Sequence, residues 1–141
     1  VREMRDNWLK GAPEFQDGWN KEINTYRQKG YLTEDVTGRR RDFLDGEAPN
    51  EIVNFPIQSS AAGLMNRALI QLHELIPLHK WGPGTGIINQ CHDSIVVECP
   101  ESEAEWVAQK LEECLNQTHP SLPGVTFTAS AGIGKSWKEV G

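Results

Sequence analysis

Apolar positions recur along this chain with two alternating periods. From Pro13, a residue suited to a first helical position, Phe15, Trp19, Ile23 and Tyr26 return every three or four residues, and Gly30 closes the stretch. This spacing predicts an amphipathic helix. Residues 31–43 then mix β-branched and aromatic side chains around Thr37-Gly38, which predicts a short hairpin with Arg39, Arg40 and Arg41 on its return arm. The polar, turn-rich residues 42–50 are expected to form a loop. A long helix follows, with Asn54 as its cap, Pro56 in its first turn, and a helical pattern from Ile57 to about Leu78. At about 100° per residue from Gln58, the residues Ala62, Met65, Leu69, Leu72 and Ile76 share one face, with Arg67, Gln71 and Glu74 opposite. Asn54 extends that face if its turn is helical, so two carboxamides top an apolar stripe. The plainer reading is that they are the exposed end of a buried helix.

Beyond a breaker-rich connector that contains Trp81-Gly-Pro-Gly, residues 86–100 give two β-rich arms flanking His92-Asp93-Ser94. A second hairpin with a polar tip is predicted. Ser102 and Glu105 have the spacing of a capping box, and Ala104, Val107, Ala108, Leu111 and Leu115 form the core face of the next helix. Val125, Phe127, Ala129 and Ala131 alternate with Thr126, Thr128 and Ser130, the period of a half-buried strand, which Gly132 and Gly134 are expected to end. Antiparallel pairing with helices packed on one face of the sheet, an α+β fold, is the economical packing for this order.

At 141 residues the chain has one domain's worth of sequence, and 38% hydrophobic residues with five Trp are too apolar for a disordered tail. No run of 18 apolar residues occurs and the N-terminus lacks an apolar signal core, so neither a membrane span nor a secretory leader is expected. A soluble, cytoplasmic protein is the expectation. Cys91, Cys99 and Cys114 lack C-x-x-C spacing, and they are expected to be reduced, mostly buried thiols. The net charge of −6 argues against a generic basic nucleic-acid binder. Its distribution matters more: residues 1–80 are balanced to −1 and residues 81–141 carry −5, while Arg39-Arg40-Arg41 is the dense basic cluster. If the chain touches phosphates, that triplet is the place.

Asp93 is the candidate for chemistry. A carboxylate on a rigid hairpin tip can hold Mg²⁺, which takes one or two carboxylates and completes its shell with substrate phosphates; an ordinary hydrophilic turn is the plain alternative. A phosphohydrolase of the His-Asp type needs that pair on a helix with further ligands, and His73, His79 and His119 show no matching pattern. Cys91, His92 and Cys99 lack the spacing for zinc. There is neither a G-x-S-x-G elbow nor a P-loop, and Gly132-Ile-Gly134-Lys-Ser lacks the leading glycine of the latter.

Four segments in one order change this picture. Gly38-Arg-Arg-Arg41, Asn54-Phe-Pro-Ile-Gln-Ser-Ser-Ala-Ala62, Gln90-Cys-His-Asp-Ser94 followed by Glu98, and Gly134-Lys-Ser-Trp137 together resemble the C-terminal part of the family A DNA polymerases. They match that family's Gly-Arg-Arg hairpin, its Asn-x-Pro-x-Gln-Gly-Thr-Ala-Ala helix start, its palm Gln-x-His-Asp-Glu hairpin and its closing Gly-x-x-Trp. The resemblance implies residues 1–50 as the end of the fingers with the Arg-rich hairpin, and 51–141 as the C-terminal half of the palm. It also implies that Asp93 binds the catalytic Mg²⁺ ions, that His92 lies near the primer terminus, and that Asn54 and Gln58 contact the primer-template minor groove. A carboxamide suits that groove because it can donate to the N3 and O2 acceptors that every base pair presents there. Arg39, Arg40 and Arg41 would contact phosphates or brace the fold.

The departures are as informative. Ser94 replaces a Glu of the family, Asn50 stands where an Arg is often found, and Ser59-Ser60 replaces Gly-Thr, a variant more like phage or mobile-element members. Glu98 points to the other face of its strand, roughly 16 Å along from Asp93, so one aspartate is left to grip two metals that sit about 3.5–4 Å apart. The upstream palm Asp and the nucleotide-binding fingers helix of the family do not occur in this sequence. The expectation is therefore a partial polymerase, inactive alone, whose partners are primer-template DNA, dNTP through the complete enzyme, and an N-terminal polymerase fragment, with no membrane. The rival from another class is a non-catalytic module that keeps the duplex-binding face.

Overall fold

A computed structural model describes residues 2–44, 46, 48–78 and 84–140; most of the connector with Trp81-Gly-Pro-Gly lies outside the described residues. The architecture is α+β. Its elements in order are α1 (Arg2–Gly11), α2 (Pro13–Lys29), β1 (Tyr31–Thr33), β2 (Arg40–Asp42), α3 (Pro49–Leu78), β3 (Gly86–Cys91), β4 (Ser94–Glu98), α4 (Ala104–Leu115), β5 (Gln117–Thr118), β6 (Thr126–Phe127) and α5 (Trp137–Val140). All strand pairing among the described residues is antiparallel, in three two-stranded ladders, β1–β2, β3–β4 and β5–β6. None of the described helices is long and apolar enough to cross a membrane. The chain divides into two compact units, 1–60 and 61–141, and the division falls inside α3.

In the first unit, α2 begins on Pro13 as the sequence predicts and ends where Gly30 takes a left-handed φ of 79°, its N–H returning to the Tyr26 carbonyl. α1 has too short an apolar pattern to be read ahead; its Trp8 ring meets Phe15 of α2 with centroids 5.0 Å apart. The core is small. Leu32, Ile52 and Phe55 are buried, and Ile23, Tyr26 and Phe43 pack on them, with Phe43 edge-on to both Tyr26 and Phe55.

α3 starts earlier than its residues suggest. Asn54 is not its cap and Pro56 is not in its first turn: the helix opens at Pro49, and the Ile52 N–H donates to the Ala48 carbonyl. Pro49 occupies the first helical position, where a missing N–H costs nothing. The extra turn buries Ile52 and Phe55, each worth about 1.5–3 kcal/mol, which offsets the hydrogen bond that Pro56 withholds from the Ile52 carbonyl.

In the second unit, Met65, Ala68 and Leu72 of α3, Ile95 of β4 and Cys114 of α4 form the buried core. Leu69, Leu75, Ile87, Val97, Leu111 and Leu115 close around them. The stripe read from Gln58 is thus rotated: Leu64 and Ala68 are buried while Ala62 is exposed. The capping box does not form: a 3-10 turn at Glu101–Glu103 leads into α4, which makes Glu103 and not Ser102 the cap position, and no side chain caps the helix. The last strand is also shorter than its alternation implies. Only Thr126–Phe127 pairs with β5, while the Ala129 and Ala131 N–H groups donate to Asn116 Oδ1 and Glu112 Oε1, each at 2.7 Å. Gly134 does not end a strand; it lets α5 approach, since a Cβ there would lie 2.7 Å from Glu139 Cβ and 2.9 Å from Val140 Cγ1.

Candidate nucleic-acid and metal surfaces

Asp93 occupies the place its sequence indicates. β3 and β4 pair from Gly86–Glu98 to Cys91–Ser94, leaving His92 and Asp93 as a two-residue loop. His92 has φ 50°, the left-handed conformation that the first residue of a tight hairpin loop needs and that His tolerates better than most residues. Two side chains brace the loop: Gln90 Nε2 donates to the His92 carbonyl at 3.1 Å, and the Ser94 hydroxyl to the Cys91 carbonyl at 2.9 Å. A bulge at Ile88 shifts the register between the Ile87–Val97 and Asn89–Val96 pairs. Ile87 can then pack on the core while Ile88, 56% exposed, faces away from it. All of residues 89–94 are exposed.

The Asp93 carboxylate has no hydrogen-bond or ion-pair partner among the described residues. A carboxylate with no protein partner is free to accept a ligand. Among the described residues no three His, Cys, Asp or Glu side chains are grouped to hold a metal. Ser94, where the family has a carboxylate, has its hydroxyl spent within the hairpin. Of the cysteines, Cys114 is buried, Cys99 half-buried and Cys91 exposed, so the expectation of mostly buried thiols fails at Cys91. Burial, with Glu113 beside Cys114 and Glu103 beside Cys99, pushes both of those thiols up from the ordinary range.

In the first unit, Asn54 and Gln58 lie one turn apart on α3, and both are exposed, as is Ile57 between them. The Arg-rich hairpin pairs Tyr31 with Asp42, Leu32 with Arg41 and Thr33 with Arg40. Its loop is built on Glu34, a residue that no motif marks. Although 1% exposed, the Glu34 carboxylate accepts the N–H groups of Val36 at 2.6 Å, Thr37 at 3.0 Å and Arg39 at 3.3 Å, together with the Thr37 hydroxyl. Its backbone N–H meets the Arg39 carbonyl and its carbonyl meets the Gly38 N–H, both at 3.1 Å. Burial works to raise its pKa, but the Thr37 hydroxyl and the three backbone N–H donors outweigh it and hold the carboxyl below its ordinary value. The only sequence signal for this device is an acid ahead of a Thr-Gly turn.

The three arginines are not equivalent. Arg40 forms a bidentate pair with Asp42, Nε at 3.1 Å and Nη2 at 2.5 Å, and stacks 3.9 Å above the Tyr31 ring centroid. Asp42 raises the Arg40 pKa further. Arg41 Nη2 lies 2.5 Å from Glu51 Oε2, and its guanidinium carbon is 4.8 Å from the Phe43 centroid. The Arg39 side chain is exposed and has no partner among the described residues.

The family model for DNA polymerase family A matches residues 2–139. This chain belongs to DNA polymerase family A. It is 29% identical to DNA polymerase I of Chloroflexus aurantiacus over 99% of its own length, and 31% identical to DNA polymerase I of Streptococcus pneumoniae over 95%. It spans only 15% and 16% of the length of those two relatives. Among solved structures it is similar to the POL domain of Pol1 from M. smegmatis in complex with DNA primer-template and dNTP, with a TM-score of 0.74 and 27% identity. That similarity covers 89% of this chain and 23% of the other.

Proposed function

We propose that this chain is the C-terminal part of a template-directed DNA polymerase, residues 1–50 ending the fingers and 51–141 forming half of the palm. In the complete enzyme, Asp93 holds catalytic Mg²⁺ and His92 stands by the primer terminus. Asn54 and Gln58 contact the duplex minor groove, and the hairpin of Arg39, Arg40 and Arg41 serves phosphates or its own bracing. Bound Mg²⁺ supplies charge stabilisation of the transferring phosphoryl group and activation of the primer hydroxyl. The observation that carries the proposal is the unspent Asp93 carboxylate at the exposed tip of a braced two-residue hairpin, within a chain that belongs to this family.

Because Asp93 is one carboxylate and two-metal transfer needs more, the chain alone is expected to extend no primer. Mixed with a polypeptide that carries the second palm aspartate and the fingers helix, it should support extension of a primer by dNTP that depends on Mg²⁺. Asp93→Ala in that mixture should abolish extension while leaving the two pieces associated; retained activity would remove the metal role. A second reading is favoured by Ser94, whose hydroxyl is committed to the Cys91 carbonyl and adds no charge to the site. It is a non-catalytic module that binds duplex. Duplex binding without extension in any mixture would select it.

A further inference from the structure

The triplet has one member whose charge is available. Arg40 and Asp42 cancel as a bidentate pair, and Arg41 and Glu51 cancel as a second pair. Stacking of Arg40 on Tyr31 and of Arg41 on Phe43 fixes both guanidinium groups over aromatic faces of their own hairpin. Exposed pairs of this kind are weak one by one, so their strength is not what distinguishes them. What counts is that each guanidinium has its counter-ion beside it, and recruiting it to a phosphate would strand a carboxylate next to that phosphate. Arg39 carries no such debt. Its backbone is pinned on both sides, the N–H to the Glu34 carboxylate and the carbonyl to the Glu34 N–H, so the side chain leaves a fixed point at the rim of the loop. The Glu34 charge itself is turned inward, onto backbone N–H groups of the loop.

We propose that Arg39 is the phosphate-contacting residue of the triplet, and that Arg40 and Arg41 are positioning residues that hold the hairpin in shape. This rests on the duplex-binding reading above. A phosphate contact is visible as counter-ion release: each one contributes about 0.9 to the slope of log K against log salt on B-DNA. The test is fluorescence anisotropy of a labelled mixed-sequence DNA duplex titrated with the full chain across a salt series, paired with thermal unfolding of each variant. Arg39→Ala should weaken binding about five- to tenfold, reduce the slope by about 0.9 and leave the unfolding temperature unchanged. Arg39→Lys should keep the slope.

The charge-neutral double variants Arg40→Gln with Asp42→Asn, and Arg41→Gln with Glu51→Gln, should keep the slope and lower the unfolding temperature. A slope that survives Arg39→Ala and falls in either double variant overturns the assignment while leaving duplex binding intact. A wild-type chain that binds no duplex at any salt overturns the duplex reading and this assignment together.

Discussion

Replacing Glu34 tests whether one buried carboxylate organises the Arg-rich hairpin. Three backbone N–H donors and two hydroxyls, those of Thr37 and of Ser60 on α3, converge on it, and the residues that supply most of them, Thr37 and Arg39, are themselves exposed. Glu34 is therefore covered by a thin shell that water can enter once the side chain is removed. An unsatisfied buried donor costs about 1–3 kcal/mol, and rehydration should hold each of the three to the low end. Glu34→Ala is accordingly expected to destabilise the chain by about 2–4 kcal/mol, a large part of the stability of an ordinary domain. Glu34→Gln keeps one acceptor but turns an amide donor toward other donors, for about 1–2 kcal/mol. Denaturant unfolding measures both, and amide exchange at Val36, Thr37 and Arg39 localises the loss. The pH dependence has a definite sign. The folded carboxyl titrates below its ordinary 4.5, so its stabilisation is complete at pH values above 4.5 and disappears as pH falls through the depressed folded value. Exchange protection at the three amides should collapse over that acid window in the wild type and be absent from Glu34→Ala at every pH. Wild-type stability and protection in Glu34→Ala would refute the role given to this group.

Further outcomes follow from packing and exposure. Leu72→Ala, at a position with no exposed surface at the centre of the second core, should cost about 2–5 kcal/mol in denaturant unfolding. Gly134→Ala should displace α5, because the new methyl group meets Glu139 Cβ and Val140 Cγ1 inside contact distance; loss of exchange protection at Glu139, whose N–H donates to the Ser136 carbonyl, reports it. A thiol reagent at neutral pH should label Cys91 rapidly and Cys114 slowly, since Cys114 is both buried and held in its protonated form, and mass mapping of the labelled peptides decides.

Where apolar periodicity and a terminator agree, as in α2 with Gly30 or β3–β4 with its two-residue loop, the element is legible from the residues. Legibility fails where polar groups have a choice of partner. Asn54 and Pro56 have the composition of a helix start, yet Pro49 offers the same chemistry seven residues earlier and the buried Ile52 and Phe55 favour it. Ser102 and Glu105 fit a capping box, but a 3-10 turn stands there instead, with the Glu103 N–H on the Pro100 carbonyl and the Ala104 N–H on the Glu101 carbonyl. The alternation holds in burial from Phe127 to Ala131 though not at the exposed Val125, while the backbone bonds that would make it a strand go to Asn116 and Glu112. The candidate residues behave likewise: the motifs put Asp93 on a hairpin tip and Asn54 with Gln58 one turn apart on a helix, as observed, but nothing in them reveals that Glu34 holds the loop or that two of three arginines are already paired.

Those pairings bear on how an acidic chain could engage DNA at all. With Arg40 and Arg41 neutralised in place and the groove-facing candidates Asn54 and Gln58 uncharged, Arg39 is the charge that the arginine triplet offers to a phosphate. The second unit carries most of the acidic excess, and at the hairpin tip it presents a carboxylate that repels phosphate until a divalent cation intervenes. Duplex binding by this chain alone should therefore be weak and only shallowly dependent on monovalent salt, with a slope near one where a protein making many phosphate contacts shows several. Mg²⁺ should strengthen that binding in the wild type by screening Asp93, and less so in Asp93→Asn. A steep salt slope that falls when Arg40 or Arg41 is replaced would mean that the paired arginines exchange their carboxylates for phosphates, and the division of labour within the triplet would have to be redrawn.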